Sequence, residues 1–266
     1  MNKKKTAELL LLVRTRKPVV HHITNWVTIA ACADVVKAFG ASPVMAHAVE
    51  EAAEMTGIAS ALVLNIGTLT ADVIKAMELS TKAANKKGIP VVLDVCGAGA
   101  TKYRDESCKT LFSKCRIDIV KGNASEIARV AGLEVRTKGV DSTAVDADMK
   151  KTAERLAKKI NCTVVVTGKE DIVCGDGKTY LVKNGEEIMS RVVGTGCMAA
   201  SVIGTFCAVE KDYAFAAAAG LACYEIAAEL AAKKAKGPGT FKAALFDCIS
   251  SLTGKTVEKR KKFTAI

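Results

Sequence analysis

A glycine-opened turn, Gly194-Thr195-Gly196-Cys197, leads directly into a run of small residues reaching Ala208. A helix starting there would present backbone N–H groups with no internal partner, and its macrodipole would add positive potential. Such a tip binds anions. Glycines at 194 and 196 remove the Cβ atoms that would hold a phosphate away, and Cys197 would project from the first turn towards whatever the tip holds. A plain glycine turn beside a buried thiol is the competing reading. Gly194, Gly196 and Ala199 formally meet the dinucleotide pattern G-x-G-x-x-G/A, but that motif follows the first strand of a βαβ unit and here it falls late. Thr253-Gly254-Lys255-Thr256 imitates the end of a P-loop, yet Ile249 stands where its first glycine is required.

Four apolar segments deliver polar residues where they end: Asn25, Asp94, Lys121 with Asn123, and Thr167 with Gly168. In an open parallel sheet the carboxyl ends of the strands are where ligands bind. Asp94, beside Gly97 and Gly99, would help hold Mg2+ through water, or would cap the following loop. Glu126 lies three residues after Asn123, either near enough to share that ion or closing a capping box with Asn123 as N-cap. Lys121 would reach nucleotide phosphates, or carry ordinary surface charge. His21 and His22 lack a partner cluster for metal or acid–base work, and one of them reads as a hydrogen-bonded structural residue. Met45 suits the flat face of a sulfur-containing ring, although core packing is its usual role.

These residues need a scaffold, and the pattern supplies one. Continuous apolar strands at residues 19–23, 61–66, 91–94, 117–120 and 163–166 alternate with amphipathic helical stretches. That alternation marks an α/β fold with a mostly parallel sheet covered by helices on both faces. Helices are expected at 6–17, 27–39, 50–56, 70–87, 124–130, 145–160, from Gly194 to Ala208, at 213–234, and from Pro238 to Gly254. Gly175-Asp176-Gly177 predicts a hairpin turn. Residues 41–48 read as an apolar loop that lines something, and residues 255–262 as a solvated basic tail. Without a repeat or linker, the 266 residues read as one domain.

A hydrophobic fraction of 50% provides ample core, and the short apolar run at 9–13 is too brief to span a membrane. Ten cysteines are scattered without a C-x-x-C pair, which argues against zinc and disulfide scaffolds and for a reducing, cytoplasmic setting. The net charge of +11 is spread in short lysine pairs, and only 5% of residues are aromatic. Nucleic acid would find few stacking platforms, whereas a basic surface suits a small anionic substrate.

Six stretches together resemble the hydroxyethylthiazole kinases of the ribokinase-like superfamily. They are His22-Ile23-Thr24-Asn25, the segment Gly40 to Ala48, Leu64-Asn65-Ile66-Gly67-Thr68-Leu69, Gly97-Ala98-Gly99-Ala100-Thr101, Lys121-Gly122-Asn123-Ala124-Ser125-Glu126-Ile127 and Gly194-Thr195-Gly196-Cys197. The resemblance implies a three-layer ribokinase-like fold and transfer of the ATP γ-phosphate to the primary alcohol of hydroxyethyl-methylthiazole, for thiamine synthesis or salvage. It places Met45 and Gly194 on the thiazole with Asn25 nearby, Lys121, Thr167 and Asn123 at the nucleotide, and Asp94 and Glu126 near Mg2+. It further implies a homotrimer with the thiazole site between subunits.

Two positions depart from the resembled pattern. Lys121 replaces a common arginine, so a planar two-pronged phosphate contact becomes a point charge. Val95-Cys96 replaces a proline-led dipeptide. Cys197 occupies the place of the superfamily's usual aspartate base, and a thiol is only a modest base. Because phosphoryl transfer needs little prior deprotonation, Cys197 is expected to orient the alcohol while the backbone N–H groups at 194–197 hold the transferring group. A hydroxymethylpyrimidine or pyridoxal kinase is the nearest alternative, and a basic nucleic-acid-binding protein is an alternative of another class.

Overall fold

The computed structural model describes residues 3–133 and 149–266. In chain order the elements begin with α1 (Lys3–Arg16), β1 (Val19–Ile23), α2 (Ile29–Ala38), β2 (Ser42–Val44), α3 (Ala52–Ile58), β3 (Ala61–Asn65) and α4 (Ala71–Lys87). They continue with β4 (Val91–Asp94), α5 (Lys102–Lys114), β5 (Ile119–Asn123), α6 (Ala124–Val130), α7 (Met149–Ile160) and β6 (Thr163–Thr167). The remainder comprises β7 (Asp171–Gly175), β8 (Lys178–Val182), α8 (Thr195–Cys207), α9 (Tyr213–Ala232), α10 (Pro238–Ser250), α11 (Gly254–Arg260) and β9 (Phe263–Ala265).

The strands form one sheet in the order β2-β1-β3-β4-β5-β6-β7-β8-β9, parallel through β6 and antiparallel beyond it. Strand residues alternate between two cores, as the two-residue repeat of a strand requires. Val63, Val92, Ile119 and Val165 pack with α1, α2 and α8 to α11, whereas Leu62, Leu93, Val120 and Val164 pack with α3 to α7. Thr70 opens α4 by accepting from the Val73 N–H, and Gly88 closes it at φ 75°. The Asp176-Gly177 hairpin has positive φ at both turn residues, as its sequence predicts. α9 is long and apolar enough to cross a membrane, but it is the buried central helix of the larger core.

Three expectations are corrected. Residues 42–44 form an edge strand rather than a loop; Pro43 is tolerated there because an outer strand has one side free of ladder bonds. The basic tail keeps exposed lysines at 255, 259 and 262, as expected, but it is ordered rather than irregular. Val257 on α11 is fully buried, and β9 pairs with β8. Phe263 sits between the Tyr180 and Phe215 rings, with centroids 5.9 and 6.0 Å away, so two apolar residues draw a charged segment onto the core. Finally, α2 starts at Ile29, because Thr28 turns its N–H and hydroxyl back onto the Asn25 side chain. Of the helix expected over 145–160, residues 145–148 lie outside the described residues.

Candidate active site

Gly194 is the N-cap of α8 at φ 95°, a conformation that favours glycine. A Cβ there would come within 2.7 Å of Thr28 Cγ2, so the backbone at 194 lies directly against the turn before α2. The approach is pinned by the Thr195 hydroxyl, which donates to the Met189 carbonyl at 3.0 Å. Intrahelical bonding begins with the Met198 N–H to the Gly194 carbonyl, leaving the N–H groups of residues 195–197 at the helix mouth. A Cβ on Gly196 would meet Lys121 Nζ at 3.3 Å. The tip therefore faces the carboxyl end of β5.

Cys197 is the centre of a polar cluster drawn from the ends of four strands. Asn25 follows β1 and donates from Nδ2 to the Cys197 sulfur at 3.3 Å; Asn65 ends β3 and donates to the same sulfur at 3.4 Å. Asn65 Nδ2 also donates to Asp94 Oδ2 at 2.7 Å, and Lys121 Nζ donates to Asp94 Oδ1 at 3.3 Å. Both members of that ion pair are nearly excluded from water, with side chains 6% and 0% exposed. Burial raises the Asp94 carboxyl above its ordinary range, and Lys121 pulls against it. Burial works against the Lys121 ammonium, yet Asp94 and Glu126 outweigh it and hold its pKa above normal. The Cys197 thiol is brought down to about 5, first by a hydrogen bond with Cys96, with burial opposing and Lys121, Thr28 and Asn25 assisting. These contacts favour the thiolate form of Cys197 over the thiol.

Glu126 and Asn123 form the capping box in full: the Glu126 N–H donates to Asn123 Oδ1 at 2.9 Å, and the Asn123 N–H donates to Glu126 Oε2 at 2.8 Å. Glu126 Oε1 accepts from the Gly97 N–H at 2.7 Å, so this carboxylate also ties the turn after β4 to α6. Thr167 ends β6 opposite Asn123 and donates to the Gly122 carbonyl at 3.3 Å. Met45 follows β2 at the same sheet edge and is half-buried. The structure thus brings Asn25, Asp94, Lys121, Gly194, Gly196 and Cys197 into one contact network. Glu126 and Asn123 join it through the Gly97 turn, and Thr167 flanks it.

His21 and His22 are structural. His21 Nε2 donates to the Ala46 carbonyl at 2.6 Å while Nδ1 meets the Thr56 hydroxyl at 2.8 Å, and burial lowers its pKa. His22 is fully enclosed, and burial brings it down to about 4. Sequence reasoning missed Asn65, Thr28 and Cys96 as site residues. Asn65 carried the same signal as Asp94, a polar residue closing an apolar strand. Nothing in the sequence pointed from Thr28 to Gly194 or from Cys96 to Cys197, because those relations join segments distant in sequence.

A family model described as the hydroxyethylthiazole kinase family matches residues 10–255. The chain belongs to that family. It is 54% identical to the hydroxyethylthiazole kinase of Methanosarcina acetivorans over 96% of this chain and 98% of the relative. A solved hydroxyethylthiazole kinase from Pyrococcus horikoshii OT3 superposes with TM-score 0.90 at 39% identity, covering 99% of each chain. A ribokinase-like superfamily protein from Enterococcus faecalis, 14% identical, shares the fold with TM-score 0.65 over 91% of this chain and 89% of its own. The ribokinase-like α/β fold expected from the sequence is therefore borne out, as is membership of the kinase family.

Proposed function

We propose that this chain transfers the terminal phosphoryl group of ATP to the primary hydroxyl of 4-methyl-5-(2-hydroxyethyl)thiazole, as a single-domain enzyme of thiamine synthesis or salvage. The observation that carries the reading is the contact of the α8 mouth with Lys121, itself paired with Asp94, which sets an anion-binding helix tip beside a buried cation at the sheet's carboxyl edge. The hydroxyl oxygen attacks the γ-phosphorus, the bond to the β–γ bridging oxygen breaks, and ADP leaves with the electron pair. Negative charge on the transferring group is held by the N–H groups of residues 195–197 and by Lys121.

A thiolate with a pKa of about 5 is a weak base, so Cys197 acts as a hydrogen-bond acceptor that aims the substrate hydroxyl. The hydroxyl proton leaves late, after bond formation to phosphorus is under way, and passes to an oxygen of the transferred phosphoryl group. The Asn25 amide is fully engaged: Oδ1 accepts from the Thr28 N–H and hydroxyl, and Nδ2 donates to Asn65 and Cys197. Asn25 therefore acts on the alcohol through Cys197, while Met45 and the Gly194 backbone supply the contacts to the ring.

Mg2+ fits this donor set. Among the described residues no group of three or more His, Cys, Asp or Glu side chains is placed to hold a metal alone. That suits an ion bound mainly by phosphates and water with one or two carboxylates. Asp94 and Glu126 would hold it, and it would supply charge neutralisation at the phosphates. Thr167 and Asn123 flank the nucleotide side.

The exposed apolar residues Trp26, Val27 and Val193 border the site, two of them beside Thr28 and Gly194. They support an interface at which a neighbouring subunit completes the thiazole pocket, as in a homotrimer. A coupled ADP-release assay with hydroxyethylthiazole, with and without Mg2+, tests the reading. Preference for hydroxymethylpyrimidine or pyridoxal in competition would replace it, and salt-sensitive oligonucleotide retention without alcohol-dependent ADP release would end it.

A further inference from the structure

We propose that Asn65 is a positioning residue for phosphoryl transfer, aiming the Cys197 sulfur and the Asp94 carboxylate from a single amide nitrogen. The proposal rests on the kinase reading above and assigns a role to a residue outside the candidate set read from the sequence. Its orientation follows from chemistry rather than choice. A backbone N–H can only donate, and the Gly67 N–H lies 2.8 Å from Asn65 Oδ1, so the oxygen must face Gly67 and the nitrogen must face Asp94 and Cys197.

The same logic fixes its neighbour. The Thr28 N–H donates to Asn25 Oδ1 at 3.0 Å, which turns Asn25 Nδ2 towards Asn65 Oδ1, at 2.9 Å, and the Cys197 sulfur. Asn65 thus accepts two hydrogen bonds and donates two, its full capacity, while only 2% exposed. An amide with no spare capacity and no room has one stable orientation. It links the alcohol side of the site, Asn25 and Cys197, to the metal side at Asp94. Gly67 is part of the device: a Cβ there would fall 2.9 Å from both Asn25 Cβ and Asn65 Oδ1. Arg104 secures it further by donating to the carbonyls of Ile66, Gly67 and Cys96, so the turns after β3 and β4 are clamped together.

Asn65→Asp keeps the size and the oxygen facing Gly67 but replaces both N–H donors with an acceptor. It is expected to lower kcat at least tenfold while KM for hydroxyethylthiazole stays within about twofold, the signature of an interaction that matters in the transition state. The pH midpoint for iodoacetamide alkylation of Cys197 should move up by about one unit or more, because its sulfur loses a donor and gains a facing carboxylate. A merely structural asparagine would lower the unfolding midpoint without moving that alkylation profile. Asn65→Ala, which removes the amide without adding charge, should shift kcat in the same direction. Unchanged kcat in folded Asn65→Asp, or an unmoved Cys197 profile, would overturn the proposal. Failure of the kinase reading shows separately, as wild-type protein without thiazole-dependent ADP release.

Discussion

Lys121 Nζ and Asp94 Oδ1 sit 3.3 Å apart across adjacent parallel strands, in a pair almost closed to water. Charge buried this way is stabilising only as a pair, because each partner alone leaves the other desolvated and uncompensated. The pair stands at the mouth of α8, where an incoming phosphate would give Lys121 a second anion.

Lys121→Met should therefore destabilise the fold by about 3 kcal/mol in urea unfolding, as breaking a buried ion pair does, and raise KM for ATP. Lys121→Arg restores a two-pronged phosphate contact and should lower KM for ATP. An ATP KM unaffected by both changes would remove Lys121 from the nucleotide site.

Gly194 at φ 95° leaves no room for a side chain against Thr28. Gly194→Ala is expected to cost about 1–3 kcal/mol of stability from backbone strain alone and to depress kcat/KM steeply. Adding Thr28→Ser removes the methyl that clashes but not the strain, so activity should recover only in part. Wild-type kinetics in the single variant would show that the helix mouth tolerates being reshaped.

Cys197 should react with iodoacetamide with a half-maximal rate near pH 5, whereas buried thiols such as Cys108 and Cys223, pushed up to about 12, stay inert at neutral pH. The sign follows from the depressed value: the thiolate is present above pH 5 and lost below it. Cys96→Val removes the leading cause and should move the midpoint upward. Peptide mapping of all ten cysteines reads both outcomes. Cys197→Asp should remain active while Gly196→Val collapses; the reverse ranking would make Cys197 a required base.

Phe263→Ala should lower stability by about 3–5 kcal/mol, the usual cost of deleting a buried phenyl ring. Thermal unfolding measures it, and kcat should stay near wild type because β9 lies at the far edge of the sheet from Cys197. An unchanged melting temperature would return this segment to the role of a tail.

How much of the site was legible depends on which signal each residue carried. Asp94, Lys121 and Thr167 close apolar strands, and the parallel pattern alone puts such ends on one edge. Gly194 and Gly196 announce a close backbone approach, and the approach is real, to Thr28 and Lys121. Glu126 was ambiguous between metal and cap because its spacing from Asn123 suits both, and the structure shows the cap complete. Residues 42–44 misled because three residues with a proline carry no strand period, and pairing with β1 made them a strand.

By itself the sequence determined the alternation of strand and helix, the glycine-opened start of α8 and the polar residues at the strand ends. These follow from local periodicity and backbone allowances, which act over a few neighbouring residues. Only the tertiary structure decided that Asn25 and Asn65 both aim their amides at Cys197, that Gly196 lies against Lys121, and that Lys121 is buried against Asp94. Those relations join segments 27 to 172 positions apart, and their energies depend on distance and exclusion of water, which no local pattern encodes.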